Sequence, residues 1–153
     1  MIVAYDGSGQ YDISRTGELF WSIFDYANLA LIYIYPEFFR WFRDKVVANL
    51  ANGSRSIYAA YSTRGKLAGY MILKNDGKEQ KICTLQIFPG YRKLGYGRDF
   101  FAIALEKLQS PVITVNDAQM DLYSRLLEEY GFSLVGRKAE ENIFQKIILS
   151  IKS

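Results

Sequence analysis

Four things this chain lacks narrow its chemistry before any motif is sought. It has no histidine in 153 residues, which excludes Ser-His-Asp and Cys-His catalysis and every His-ligated metal site. It has one cysteine, Cys83, so an internal disulfide and a zinc site built from several cysteines are excluded, and a reducing compartment fits. It has no strong excess of either charge. Its 19 basic and 16 acidic residues give a net charge of +3, compatible with a polyanionic ligand but too small to argue for nucleic-acid binding. A long hydrophobic run is also missing. Leu19 to Tyr35 comes nearest, but Asp25 and Asn28 interrupt it and Pro36 follows. That run is shorter than the roughly 20 residues a spanning helix needs. No signal peptide is visible at the N-terminus, so a buried helix, no membrane partner and a cytoplasmic protein are expected.

Rings are what the chain has in excess, with 12 Tyr and 10 Phe and an aromatic share of 16%. Aromatic side chains bury well, so a ring-rich core is the plain account and a flat pocket or a partner surface the sharper one. A hydrophobic share of 50% over this length is expected to form a single domain, residues 1–153, with a substantial core.

Local patterns give an order of elements. Met1 to Tyr5 suits a short strand, and Asp6 to Gly9 a turn. A helix is expected from Thr16, whose hydroxyl can cap it, to about Tyr35. Pro36 can open a second helix that carries Phe39, Phe42, Val46 and Leu50 on one side, with Phe38 and Trp41 on another. Asn52-Gly53 is its stop signal. Strands follow at Ser56 to Ser62, Leu67 to Lys74 and Gln80 to Phe88, with the hairpin signal Asn75-Asp76-Gly77 between the last two. A helix with Phe101, Ala104, Leu105 and Leu108 at core-facing spacing comes next. Pro111 to Val115 is a continuous apolar run, as a strand buried on both faces would show. Asn116 and Gln119 stand at capping-box spacing before a helix from Ala118 to Tyr130, which Gly131 ends. Phe132 to Val135 and Asn142 to Ile151 read as a closing hairpin. The fold class is α/β, with a mixed sheet and helices interleaved after its central strands.

Between the third of those consecutive strands and the helix after it, Arg92, Gly95 and Gly97 form an R-x-x-G-x-G loop. Glycines there permit a tight turn and leave room for a ligand to approach the main chain. The first turn of the next helix has N–H groups without helical partners, which attract anions and phosphates above all. Arg92, Lys93 and Arg98 add positive charge at the same point. The loop reads as a pyrophosphate grip, with a solvated basic turn as the alternative.

With these elements in place, the sequence resembles the GNAT superfamily of acyl-CoA-dependent N-acyltransferases. The family's acyl-CoA signature, Q/R-x-x-G-x-G/A after its fourth strand, is matched by Arg92-Lys93-Leu94-Gly95-Tyr96-Gly97, preceded by Pro89-Gly90-Tyr91 where the family often has Pro-x-Tyr. The family often ends its next strand in Asn and carries a Tyr seven residues later, here Asn116 and Tyr123. Gly131 follows Tyr123 by eight residues, about one helical turn later than the family's common spacing. The resemblance implies a mixed, mostly antiparallel central sheet flanked by helices. It also implies that acetyl-CoA is the co-substrate, with no metal. The cofactor-binding residues would be Arg92, Lys93, Leu94, Gly95, Tyr96, Gly97 and Arg98 at the pyrophosphate, and main-chain groups near Gln86 and Ile87 along the pantetheine arm. Asn116 and Tyr123 would complete the set.

An amine acceptor must lose a proton before it attacks a thioester. With a lysine-like pKa of about 10.4, only on the order of one molecule in a thousand is ready at neutral pH. The resemblance makes Tyr123 the general acid for the departing thiolate, and a phenol of pKa near 10 suits that work. Tyr123 also belongs to an i, i+3, i+4, i+7 stripe with Leu126, Leu127 and Tyr130, so a plain core role stands beside it. Asn116 has the parallel alternative of a helix N-cap. Where some family members place a glutamate base, this chain has Lys81. Glu79, two residues earlier, is the candidate catalytic base if the strand extends that far, and water-relayed deprotonation is the other route. Cys83, with no His to activate it, is expected to be inert packing, and transfer is expected to be direct.

Two functions stay open at this point. One is an N-acetyltransferase acting on a small-molecule, peptide, protein or aminoacyl-tRNA amine. The other is a non-catalytic acyl-CoA-binding or regulatory module on the same fold. An unrelated nucleotide-binding domain would need a Walker Lys-Ser/Thr pair, which this loop lacks. By resemblance the acceptor site lies between the first two helices and the closing hairpin, where Phe20, Trp21, Phe24, Tyr33, Tyr35, Phe38 and Trp41 outnumber Glu18, Asp25 and Glu37. That balance leans toward an apolar or aromatic amine or a polypeptide. Exposed rings on these helices could also seal a homodimer.

Overall fold

A computed structural model describes residues 1–6 and 37–147. The helix expected from Thr16 to Tyr35, its aromatic residues and the turn after Asp6 lie outside the described residues. Seven strands form one sheet: β1 (Ile2–Tyr5), β2 (Arg55–Tyr61), β3 (Leu67–Asn75), β4 (Gln80–Ile87), β5 (Val112–Asn116), β6 (Phe132–Lys138) and β7 (Glu141–Lys146). Their order across the sheet is β1-β2-β3-β4-β5-β7-β6. Only the β4–β5 pair is parallel. The α/β class and the mostly antiparallel sheet flanked by helices are as expected.

Helices cover both faces. On one face, α2 (Tyr96–Lys107) and α3 (Met120–Glu129) bury Phe100, Phe101, Ala104, Tyr123 and Leu127 against Tyr58, Met71, Leu73, Ile82, Leu85, Ile113 and Val115. The α2 stripe includes Phe100 as well as the expected Phe101, Ala104 and Leu108, while Leu105 is half-buried. On the other face, Phe42, Val46 and Leu50 pack on Tyr5, Ile57, Ala59, Tyr70 and Ile72.

The segment bearing those residues differs from the single helix expected after Pro36. It is wound as one α turn, α1 (Phe38–Trp41), then a π turn (Phe42–Val46) and a 3-10 turn (Val47–Asn49). The change from wide to tight winding falls at Val46-Val47, two β-branched residues whose stiff side chains crowd a regular helical turn. A periodicity of four still puts Phe42, Val46 and Leu50 on the sheet, which is why the apolar pattern could not reveal the irregular winding.

Two other expectations need correction. Pro111 to Val115 is not buried on both faces: in β5 only Ile113 and Val115 are fully buried, while Val112 and Thr114 are half-buried. The closing hairpin is also longer on its first arm, because β6 runs on to Lys138. A register shift between Leu134 and Gly136 absorbs one residue and lets pairing continue through Arg137 and Lys138, which carry no apolar alternation.

Candidate active site

The site begins as a break in the sheet. β4 and β5 pair in register only at Lys81–Val112 and Ile82–Ile113. The β3–β4 register shifts at the same level: Ile72 faces Thr84 and Leu73 faces Ile82, leaving Cys83 as an extra residue in β4. Such a bulge bends the strand and increases its twist, and beyond it β4 and β5 diverge. The wedge between them is lined by Ile82, Cys83, Thr84, Leu85, Gln86, Ile113, Thr114, Val115, Gln119 and Tyr123. It holds a cavity of about 40 Å³, room for a slender chain end and too little for a nucleotide base.

Strands that part leave backbone groups without ladder partners, and buried groups of that kind must be met in another way. Tyr123, only 7% exposed, donates a short hydrogen bond from its hydroxyl to the Leu85 carbonyl of β4. It therefore spans the wedge from α3 to the opposite wall. Its helical stripe is real, since Leu127 is buried and Leu126 and Tyr130 pack partly against the same core. The two readings of Tyr123 describe one placement, with the ring in the core and the hydroxyl at the cleft. Gln86, 4% exposed, lies on the β4 wall, and Ile87 is half-buried at its end.

After β4, Pro89–Tyr91 makes a 3-10 turn and the chain enters the R-x-x-G-x-G loop. Lys93 has φ 64° and Gly95 φ 92°, both left-handed. For Gly95, which caps α2, that conformation is what glycine tolerates without cost. The first bond of α2 runs from the Asp99 N–H to the Gly95 carbonyl at 3.1 Å. The amides of Tyr96, Gly97 and Arg98 therefore precede any helical acceptor and form a cradle for an anion.

Around the cradle, Arg92, Lys93 and Leu94 are exposed, and the Arg92 Nε donates to the Ile87 carbonyl at 3.3 Å, tying the loop to the end of β4. Arg98 forms an ion pair with Glu129 at 3.3 Å, so part of its charge faces α3 and not the loop. Gly97 has a further reason to be glycine that the motif alone did not reveal. A Cβ there would lie 2.8 Å from Leu126 Cδ1, so the residue sets how closely α2 and α3 approach.

Asn116 ends β5 and its Oδ1 accepts the Ala118 N–H at 2.9 Å, the capping role. The capped element is first a 3-10 turn (Asp117–Gln119), so α3 starts two residues later than expected. α3 ends at Glu129, and Gly131 has φ 79°. The turn of helix beyond Tyr123 that the Tyr123–Gly131 spacing called for is present.

Glu79 is not brought to this cleft. β4 begins at Gln80, and Glu79 sits in the preceding hairpin turn, where its carboxylate takes the Lys74 Nζ at 3.0 Å. The turn closes around Asp76, whose Oδ1 accepts the Lys78 and Glu79 amides, so the strand cannot extend back to include Glu79. Lys81 is half-buried at the strand's start. Cys83 is half-buried, and burial pushes its thiol pKa up despite the opposing field of Arg55, as inert packing requires.

Asp117, Arg137 and Asn142 form a network that sequence reading missed. Arg137 makes a two-pronged pair with Asp117, at 2.7 Å for each contact, and donates to the Asn142 Oδ1 at 2.7 Å. Asn142 in turn donates to the Asp117 Oδ1 and the Val115 carbonyl. These hydrogen bonds hold the Asp117 carboxyl at a pKa of about 2 and tie the β6–β7 hairpin to the turn that leads into α3. Residues 20 to 25 positions apart carry no local signal of such a triad.

This architecture is that of the GNAT N-acetyltransferases. Three solved structures show the likeness. A GNAT-family acetyltransferase from Listeria monocytogenes superposes over 95% of this chain and 94% of its own at TM-score 0.60 and 13% identity. The PaiA N-acetyltransferase of Thermoplasma acidophilum, in complex with coenzyme A, matches over 91% and 81% at TM-score 0.55 and 16% identity. A spermidine N-acetyltransferase of Vibrio cholerae, with CoA and spermine, matches over 64% and 67% at TM-score 0.50 and 16% identity. By sequence, no family model and no curated protein matches. The chain has the GNAT fold, and at these identities the likeness is one of fold.

Among the described residues, no helix is long and apolar enough to cross a membrane. No group of three or more metal-ligating side chains occurs among them either.

Proposed function

We propose that this chain is an N-acetyltransferase that moves an acetyl group from acetyl-CoA to a primary amine by direct attack in a ternary complex. The observation that carries the reading is the wedge between β4 and β5, bordered by main-chain groups, with the amide cradle of α2 on the loop that follows β4. The residues present fit coenzyme A: the amides of Tyr96, Gly97 and Arg98, together with Arg92 and Lys93, would hold its diphosphate. The β4 main chain near Gln86 and Ile87 would border its arm. When bound, acetyl-CoA supplies the activated acetyl carbon.

The chain's own groups then have separable tasks. Amides fixed along β4 stabilise charge as it develops on the thioester oxygen, and preorganised donors of this kind contribute several kcal/mol, typically about 3. Tyr123 gives its proton to the leaving sulfur. Deprotonation of the amine falls to a water relay, since Glu79 is engaged with Lys74 and Lys81 is a cation. Asn116 shapes the start of the turn before α3 and so positions Tyr123. A reducing, cytoplasmic setting suits the single free Cys83.

Free-thiol release from acetyl-CoA over an amine panel, run beside calorimetry with CoA, tests this. Turnover with at least one amine supports the enzyme. Binding of CoA without turnover on any amine would leave the non-catalytic module, and no heat with CoA or acetyl-CoA would sink both.

A further inference from the structure

The wedge between β4 and β5 has two unlike rims. Successive strand residues turn to opposite faces, and Ile82, Leu85, Ile113 and Val115 join the core under α2 and α3. Tyr123 reaches the cleft from that same side. Thr84, Gln86 and Thr114, which alternate with them along the lining, turn to the other face. There Ile72 stands opposite Thr84 and Tyr70 opposite Gln86, both in the core that packs on Phe42 and Val46. One rim is therefore apolar with a single phenol, and the other carries a carboxamide and two hydroxyls. Among the described residues that line the wedge, none is Asp, Glu, Lys or Arg.

Gln86 is the unusual member of the polar rim. It is 4% exposed, although glutamine mostly stays at the surface. Its main chain is already committed. The Phe88 N–H bonds the Ala68 carbonyl at 2.9 Å, and an antiparallel ladder bonds every second pair in this way. The Gln86 N–H and C=O are thereby turned toward Tyr70 of β3. The carbonyls of Leu85 and Ile87 face the other way, to Tyr123 and Arg92. What Gln86 brings to the wedge is its side chain. That carboxamide has two N–H donors and an acceptor oxygen, and among the described residues it has no hydrogen-bond partner. A buried amide left unmet is costly, and such a group in a native protein calls for an explanation.

We infer that the Gln86 side chain is a binding group for the uncharged arm of coenzyme A, pairing its carboxamide with a secondary amide of that arm. A secondary amide has one N–H and one C=O, and a carboxamide answers them with one acceptor and one donor in a single plane. No charged side chain of the described lining competes for it, and a carboxylate, phosphate or ammonium would find no counter-charge there. Gln86 also stands between Leu85, which holds the Tyr123 hydroxyl, and Ile87, to which Arg92 ties the cradle loop. This rests on the acetyltransferase reading and deepens it. Main-chain groups of β4 border the arm along its edge, and Gln86 grips it from the face opposite Tyr123.

Two experiments separate this inference from the reading beneath it. The first is calorimetry with CoA and with 3′-phospho-ADP, which carries the diphosphate without the arm. Gln86→Met keeps the side-chain length and removes the hydrogen-bonding groups. In that variant, affinity for CoA should fall by about 3- to 10-fold, the worth of a neutral hydrogen bond, while affinity for 3′-phospho-ADP stays within about twofold. Equal CoA affinity in parent and variant, or equal losses for both ligands, overturns the inference and leaves the acetyltransferase standing.

The second experiment uses the unaltered chain, so it holds even if the variant fails to fold. The assigned side-chain Nε2–H2 signals of Gln86 in nitrogen-15 spectra should shift on saturation with CoA and stay in place with 3′-phospho-ADP. Signals that do not move with CoA bound, or that move equally with both ligands, overturn the inference. Failure of the parent to bind CoA at all sinks the acetyltransferase reading, and this inference with it.

Discussion

Replacing Tyr123 by phenylalanine asks one residue two questions at once. The ring is 7% exposed and the hydroxyl is donated to the Leu85 carbonyl, so Tyr123→Phe keeps the packing and deletes one buried hydrogen bond. A lost bond of this sort costs about 1 kcal/mol net, and leaving the acceptor unsatisfied raises that to as much as about 3. The wedge admits a small molecule such as water, so the lower part of the range applies, about 1 to 2 kcal/mol. In a chain of this length that lowers Tm by about 2 to 8 °C. Urea unfolding should show the loss as a shifted midpoint with an unchanged slope.

If Tyr123 also protonates the leaving thiolate, kcat should fall by about 100-fold or more at neutral pH while calorimetric affinity for CoA stays within a few-fold. The deficit should narrow above about pH 8.5, where a thiolate leaves readily without a proton. Assays well below either Tm compare fully folded proteins, so the two effects do not mix. A variant that loses the expected stability yet turns over within twofold of the parent would show that Tyr123 only spans the wedge.

Other perturbations give equally definite expectations. Gly69→Ala would put a Cβ 2.4 Å from the Gln86 carbonyl, a main-chain atom that cannot swing aside; a stability loss of about 1 to 3 kcal/mol by urea unfolding is expected. Gly95→Ala, at φ 92°, should cost about 1 to 2 kcal/mol from backbone strain alone and weaken CoA binding. Gly97→Ala should be milder in stability, because the crowded Leu126 Cδ1 ends a flexible side chain and alanine favours helix by up to about 1 kcal/mol; a second change, Leu126→Ala, should relieve the crowding.

Asp117 titrates at about 2 in the fold against a reference of 3.8, a depressed value, so its contribution is complete above pH 3.8 and is lost as pH falls toward 2. The Tm difference between the parent and Asp117→Asn should therefore be flat from pH 5 to 7 and close between pH 4 and 2. A difference that persists unchanged at pH 2 would remove the carboxylate from the explanation.

Much of this fold could be read from short-range pattern. The three-strand meander β2–β4, the core stripe of α2, the Asn116 cap and the Gly131 stop all follow from neighbours within a few residues, where turn chemistry and periodicity act. What escaped depends on partners distant in sequence. Arg55 looks like an ordinary strand-edge cation until the β2–β3–β4 register sets it beside Lys74 and Cys83. The Asp117–Arg137–Asn142 triad spans two elements and a hairpin. Glu79 could join the strand only if β4 ran one residue further back, and the Asp76 turn, formed by contacts outside the strand's own pattern, closes just short of that. Thr114 reads as fully buried because apolar and β-branched composition does not reveal that a neighbouring strand has turned away beyond Ile113.

That turning away divides the sheet's stability unevenly. Four strands stand on one side and three on the other, stitched by two residue pairs and by the helices laid across the join. A guest threaded into the gap would be more than cargo, because it would finish the fabric. Grip on the guest and rigidity of the host would then be one quantity measured twice, and amide exchange along the two facing edges should slow in step with occupancy.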